Sequence, residues 1–153
     1  MTIYEELIQQ AADSGAEVIE HRFESENLKG LYCDGVVAVS DRLSNTEKAC
    51  VTAEEIGHHL TAAGDILDQR DVMNRKQELR GRAWAYDRLI GLSGIVRAYQ
   101  RGCRNRFEVA DYLGVTEELL QAALKRYKEK YGSCARIGRY VVFLDPPGVM
   151  EMM

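Results

Sequence analysis

Long apolar runs are absent from this 153-residue chain, and none approaches the roughly 18 residues that a membrane-spanning helix needs. Residues 1–10 lack the basic start and apolar core of a secretory signal and carry Glu5 and Glu6 instead, so a cytoplasmic protein without membrane attachment is expected. Cysteine is sparse and unpaired: Cys33, Cys50, Cys103 and Cys134 form no C-x-x-C, which argues against a thiolate zinc site and against a redox motif. Only 2 prolines are present, and no stretch rich in Pro, Gly or Ser divides the sequence, so a single domain over residues 1–153 is expected. Excess positive charge is missing too, since the net charge is −4, which excludes nucleic-acid binding through overall charge alone.

That sum conceals an asymmetry. Residues 1–69 hold four basic and fourteen acidic side chains, residues 70–106 hold ten basic and three acidic, and the remainder is near neutral. The basic middle segment has the charge to meet an acidic partner, or to neutralise the acidic first part within one fold.

Ile3 to Ala12 reads as a helix that ends before Asp13-Ser14-Gly15. Short β-like pieces follow at Glu17–His21, Lys29–Tyr32 and Val36–Ser40, with Asp34-Gly35 as a hairpin signal, which predicts a small antiparallel sheet. Ser44 or Asn45 caps a helix with the apolar stripe Ala49, Ala53, Ile56, Leu60 and Ala63, and Gly64 is placed to end it. A second long helix runs from about Asn74 to Ile90 with Leu79, Ala83, Tyr86 and Ile90 as its stripe, and a shorter one covers Ile95 to Arg101. Residues 107–131 read as helix, turn at Gly114, and helix capped by Thr116, a helix-turn-helix-like subregion. Ile137 to Leu144 reads as one late strand, placed to join the sheet edge and stopped by Pro146-Pro147. The order of helix, small sheet, helices and a late strand places the chain in the α+β class, mostly helical.

Chemistry concentrates in Ala53-Glu54-Glu55-Ile56-Gly57-His58-His59. Metal hydrolases use H-E-x-x-H on a helix because residues at i and i+4 share one face and grip one ion, while the intervening Glu activates water. Here the frame is E-E-x-x-H, with Glu54 at the first ligand position, Glu55 at the general-base position and His58 at the second ligand position. Glu54 and His58 lie nearly opposite the apolar stripe, so they face water unless a later helix covers them. Glu78 shares a line with Ala85 and Leu89 on the next helix and can supply a third ligand. A plain reading stands beside each: Glu54 and Glu55 as a solvated face, His59 as a flank or support residue, Asp65 as a cap or support residue, and Trp84 as core.

Together with Glu78-Leu-Arg-Gly-Arg-Ala-Trp-Ala85 and Leu89-Ile90, these residues resemble the ImmA/IrrE metallopeptidases, which show A-H-E-L-G-H on one helix and E-x-x-A-x-x-F-A-x-x-L-L on the next. The resemblance extends over most of the chain. It implies a zincin-like fold, a protein encoded by a phage or mobile element, and a metal-dependent endopeptidase that cleaves a helix-turn-helix repressor and so relieves repression. It assigns Glu55 as the catalytic glutamate and His58 and Glu78 as metal ligands, with Glu54 standing where the family has its first histidine. The implied ion is Zn2+, and two carboxylates beside one imidazole make a harder donor set that also admits Mn2+ or another divalent ion. A non-catalytic antirepressor or a DNA-binding module of the same fold is the alternative. Direct DNA binding is disfavoured because Glu117 and Glu118 stand at the start of the helix that would enter the groove.

Overall fold

The computed structural model describes residues 1–61 and 71–152, with the backbone alone for 71–74. Residue contacts divide the chain into two compact units, Met1–Ala85 and Tyr86–Met153. The first begins with α1 (Ile3–Asp13), capped by Thr2, whose hydroxyl accepts from the Glu5 N–H. It continues through β1 (Glu17–His21), β2 (Gly30–Cys33) and β3 (Val36–Ser40) to α2 (Asn45–Thr61) and most of α3 (Asp71–Leu89).

The three strands form one sheet in the order β1-β3-β2. β2 and β3 are antiparallel, whereas β1 and β3 are parallel, so the sheet is mixed and not antiparallel throughout as the hairpin signal predicted. The reason lies in the sequence of β3. Asp34 and Gly35 both adopt positive φ, which fixes the tight β2–β3 hairpin. Val-Val-Ala-Val-Ser is the most apolar strand and takes the centre, with Val37 and Val39 fully buried, which leaves its other edge to β1. α2 packs against α1, β2 and β3. Leu7 and Ala11 of α1, the two valines, and Ala49, Ala53 and Ile56 of α2 form the core. Burying a side chain the size of Leu7 or Ile56 is worth about 1.5–3 kcal/mol. Leu60 departs from the predicted stripe and is exposed, and Ala63, Gly64 and Asp65 lie outside the described residues.

The second unit holds α4 (Gly91–Gln100), α5 (Arg106–Leu113), α6 (Glu117–Tyr131) and the strands β4 (Cys134–Ile137), β5 (Tyr140–Leu144) and β6 (Pro147–Glu151). Asn105 and Thr116 cap α5 and α6, and Gly114 ends α5 in the left-handed region, as the helix-turn-helix-like pattern predicted. Glu117 and Glu118 are exposed in the first turn of α6. The predicted late strand is instead two strands of an antiparallel sheet β4-β5-β6, because Gly138 takes positive φ and reverses the chain, and Pro147 opens a third strand. Proline is tolerated as the first residue of an edge strand, where its missing N–H disrupts no ladder. Among the described residues no helix is long and apolar enough to cross a membrane.

Candidate active site

Ser44 and Glu47 start α2 with a reciprocal pair: the Ser44 hydroxyl accepts from the Glu47 N–H, and the Glu47 carboxylate accepts from the Ser44 N–H. These bonds hold the Glu47 carboxyl below its ordinary value. Three turns on, the exposed face predicted for Glu54 and His58 is covered by α3. Gly57 lies against Gly81 so closely that a Cβ on Gly57 would reach the Gly81 carbonyl carbon at 2.8 Å and Cα at 3.0 Å. A Cβ on Gly81 would in turn stand 2.9 Å from His58 Nε2, so the imidazole fills the space that the missing side chain leaves. Glycine inside a helix costs about 1 kcal/mol relative to alanine. Two such residues facing one another are the sequence signal for this close crossing, and the helix-stripe reading did not use it.

His58 Nδ1 lies 3.3 Å from Glu55 Oε2. A carboxylate oxygen accepts, so Nδ1 carries the hydrogen, and the neutral ring keeps its lone pair on Nε2. That nitrogen is buried and has no hydrogen-bond partner among the described residues. Glu55, and more weakly Glu78 and Glu54, hold the imidazole above its ordinary pKa against the opposing pull of burial. Burial dominates at Glu54 and raises its carboxyl, with Arg82 acting in the other direction and Glu55 adding to the rise.

Glu78 falls short of the buried strip expected for it. Ala85 and Leu89 are buried, but the Glu78 side chain is 52 % exposed and its Oε1 pairs with Arg82 Nη2 at 2.8 Å. Leu79, predicted for the core stripe, is 61 % exposed. Both stand before Gly81, the point where α3 meets α2. Among the described residues no three His, Cys, Asp or Glu side chains lie close enough to hold an ion as they stand. The donor chemistry nevertheless fits a divalent cation: an unpartnered imidazole nitrogen within the electrostatic reach of three carboxylates. An exposed i,i+4 ion pair contributes only about 0.3–0.5 kcal/mol, so the Arg82 contact is a weak competitor for Glu78.

A cleft of about 340 Å³ opens beside these groups, lined by Gly30, Leu31 and Tyr32 of β2, Glu55 and His58 of α2, and Gln77 and Glu78 of α3. Three successive strand residues share its wall because β2 is an edge strand. The Ser40 N–H donates to the Lys29 carbonyl, so Lys29, Leu31 and Cys33 pair with β3, and the alternation of an antiparallel ladder turns the peptide groups of Gly30 and Tyr32 to the free edge. Gly30 also lets the strand approach α2, since a Cβ there would collide with the Val51 side chain and reach Glu55 Cγ at 3.5 Å.

His59, one residue off the ligand face, faces another way. Its Nε2–H donates to the Ser14 carbonyl at 2.8 Å, and its Nδ1 accepts the Tyr32 hydroxyl at 2.7 Å. The Tyr32 oxygen also accepts from the Gly35 N–H at 3.2 Å. This chain of bonds ties β2 to α2 and to the end of α1.

The family model described as Peptidase_M78, IrrE N-terminal-like domain, matches residues 11–125. The chain belongs to that family. Comparison with curated proteins finds no match. M78 membership makes this a metallopeptidase-like protein of a family that generally relies on a divalent metal and acts on protein substrates.

Proposed function

We propose that this M78 member is a metal-dependent endopeptidase that cleaves a helix-turn-helix repressor of a phage or mobile element, in the cytoplasm. The observation that carries the peptidase reading is the cleft itself: Glu55 and an imidazole with a free, buried Nε2 stand beside an unpaired strand edge. The repressor, the mobile-element setting and the cytoplasmic location rest on the resemblance of the helix motifs.

Glu54, His58 and Glu78 would hold the ion, Zn2+ or the harder Mn2+, with Glu78 exchanging Arg82 for it, and Asp65 and His59 as support residues. When bound there, the ion polarises the scissile carbonyl. An extended peptide pairs with the outward peptide groups of Gly30 and Tyr32, which aligns its backbone past Glu55. Glu55 Oε2 orients His58, and Oε1 accepts the proton of the attacking water.

The test is metal analysis of protein purified without chelator, combined with cleavage of a repressor encoded beside this chain. Stoichiometric metal, cleavage abolished by chelator, and loss of at least about 10²-fold in rate for Glu55→Gln are expected. Relief of repression that survives Glu55→Gln, without metal and without cleavage, would establish the non-catalytic antirepressor instead.

A further inference from the structure

The cleft is unusually acidic for a site in which a carbonyl oxygen must take on negative charge. Glu55 and Glu78 line it, and Glu54 is close enough to act on the His58 imidazole. Hydrogen-bond donors aimed at the developing oxyanion therefore add to what an ion would supply, and those on the cleft wall can be counted. The Tyr32 hydroxyl is committed: its hydrogen goes to His59 Nδ1, and its oxygen accepts from Gly35. The outward N–H groups of Gly30 and Tyr32 lie on the strand edge, where an extended peptide takes them up in its own ladder. His58 gives its one hydrogen to Glu55. Gln77 remains. It is half-buried, sits on the cleft wall one residue before Glu78, and its amide has no hydrogen-bond partner among the described residues.

We propose that Gln77 is a catalytic residue whose side-chain N–H donates to the scissile carbonyl oxygen as it becomes an oxyanion. This rests on the peptidase reading of the cleft. In the step concerned, the water oxygen bonds to the carbonyl carbon, the water proton passes to Glu55, and the π electron pair moves onto the carbonyl oxygen, which Gln77 meets with its N–H. The pair then returns as the C–N bond breaks, and the proton leaves Glu55 for the departing nitrogen. Gln77 carries no charge, so it stabilises the oxyanion without the desolvation cost of another ion, and it binds the neutral carbonyl more weakly than the charged one. The interaction therefore acts on kcat and leaves KM largely unchanged.

The experiment compares wild type, Gln77→Ala and Gln77→Glu, each checked for metal content and thermal unfolding. Its readouts are peptidase kinetics and calorimetric binding of a peptide phosphinate, whose tetrahedral oxygens imitate the intermediate without turnover. Losing one oxyanion donor costs roughly 10²–10³ in kcat. The expectation is a fall in that range for Gln77→Ala with KM within threefold, a matching loss of phosphinate affinity, and a larger loss for Gln77→Glu, which keeps the shape but replaces the donor with a charge. An active wild type with Gln77→Ala within threefold of it in both kcat and phosphinate affinity overturns the assignment and leaves the peptidase reading standing. A wild type that neither cleaves nor binds the phosphinate overturns both, and is recognised because the failure precedes any substitution.

Discussion

The crossing of α2 and α3 through Gly57 and Gly81 gives a paired prediction in which two chemically identical changes have different consequences. Replacing glycine by alanine inside a helix ordinarily stabilises it by about 1 kcal/mol. At Gly57 the new methyl group would meet Gly81 backbone: the carbonyl oxygen at closer than any real contact, the carbonyl carbon at 2.8 Å and Cα at 3.0 Å. Backbone cannot rotate aside, so the helices must separate, and overpacking of this kind costs about 1–3 kcal/mol. Taking the upper end less the propensity gain leaves a net loss of about 2 kcal/mol, or roughly 4–8 °C in Tm for a chain of this size. At Gly81 the methyl meets the His58 ring first, Nε2 at 2.9 Å, and then the His58 backbone nitrogen at 3.1 Å. The ring can turn, and the residual contact is relieved by a few tenths of an ångström, so the stability terms nearly cancel and Tm stays within about 3 °C. The consequence falls on the site instead, because a turned imidazole leaves Glu55. Thermal unfolding followed by circular dichroism, with the His58 ring resonances read by NMR, separates the two effects. A Gly57→Ala protein with a raised Tm would refute the close crossing. A Gly81→Ala protein that loses as much stability as Gly57→Ala, with the His58 ring unmoved, would refute the claim that the ring fills the glycine's space.

Three further outcomes follow from other contacts. Ser44→Ala removes the hydroxyl that accepts from the Glu47 N–H, leaves the backbone N–H that donates to the Glu47 carboxylate, and is expected to cost about 1 kcal/mol. Because the Ser44 N–H, and after it the Ser44 hydroxyl, lower the Glu47 carboxyl from its ordinary 4.5, the carboxylate's contribution is fully present above pH 4.5 and is lost as pH falls through the folded value, so urea titrations of the unsubstituted protein and Glu47→Ala should converge in acid. Arg82→Ala frees Glu78 from an ion pair worth about 0.3–0.5 kcal/mol, and divalent metal affinity measured by calorimetry should rise about twofold; an unchanged or weaker affinity would separate Glu78 from the metal. Tyr127 is buried and donates to Asp87 at 2.9 Å, so Tyr127→Phe should lower stability by about 0.5–1.5 kcal/mol in urea unfolding, whereas an unaltered midpoint would mean that water replaces the bond without loss.

The sequence was most legible where one local rule acts alone. Ser44, read together with Asn45 as the cap of α2, and Thr116, Gly114 and Asp34-Gly35 mark their element boundaries because capping and positive φ are decided within four residues. Helix position, and with it the common face of Glu54 and His58, followed from spacing. What needed the third dimension was pairing. Nothing local in Glu17–His21 distinguishes a parallel from an antiparallel neighbour, and the late apolar run hid a reversal at Gly138 that its alternation did not mark. In the site, the residues that spacing overlooked have no motif of their own: Tyr32 and Gln77 line the cleft only because an edge strand and a third helix meet α2 there. Glu78 was found by its spacing, but its exposure was not, since the depth of a helical residue depends on where the neighbouring helix makes its closest approach.

Glu54 poses the chemical question that distinguishes this chain from the pattern it resembles. An imidazole at that position would leave two carboxylates, Glu55 and Glu78, beside two neutral rings. A carboxylate leaves three acids around one ring, in a place where burial already pushes the Glu54 carboxyl upward. Only a cation relieves that arrangement without protonating it, and Arg82 does so partially from an exposed position. A divalent ion supplies twice the charge and also satisfies the unpartnered His58 Nε2, which Arg82 cannot, because a guanidinium has donors alone. The exchange of His for Glu therefore does not argue against a metal. If the proposed residues hold an ion, the exchange raises the demand for positive charge and hardens the donor set, which would make the site less selective for zinc and open to oxygen-seeking ions such as Mn2+.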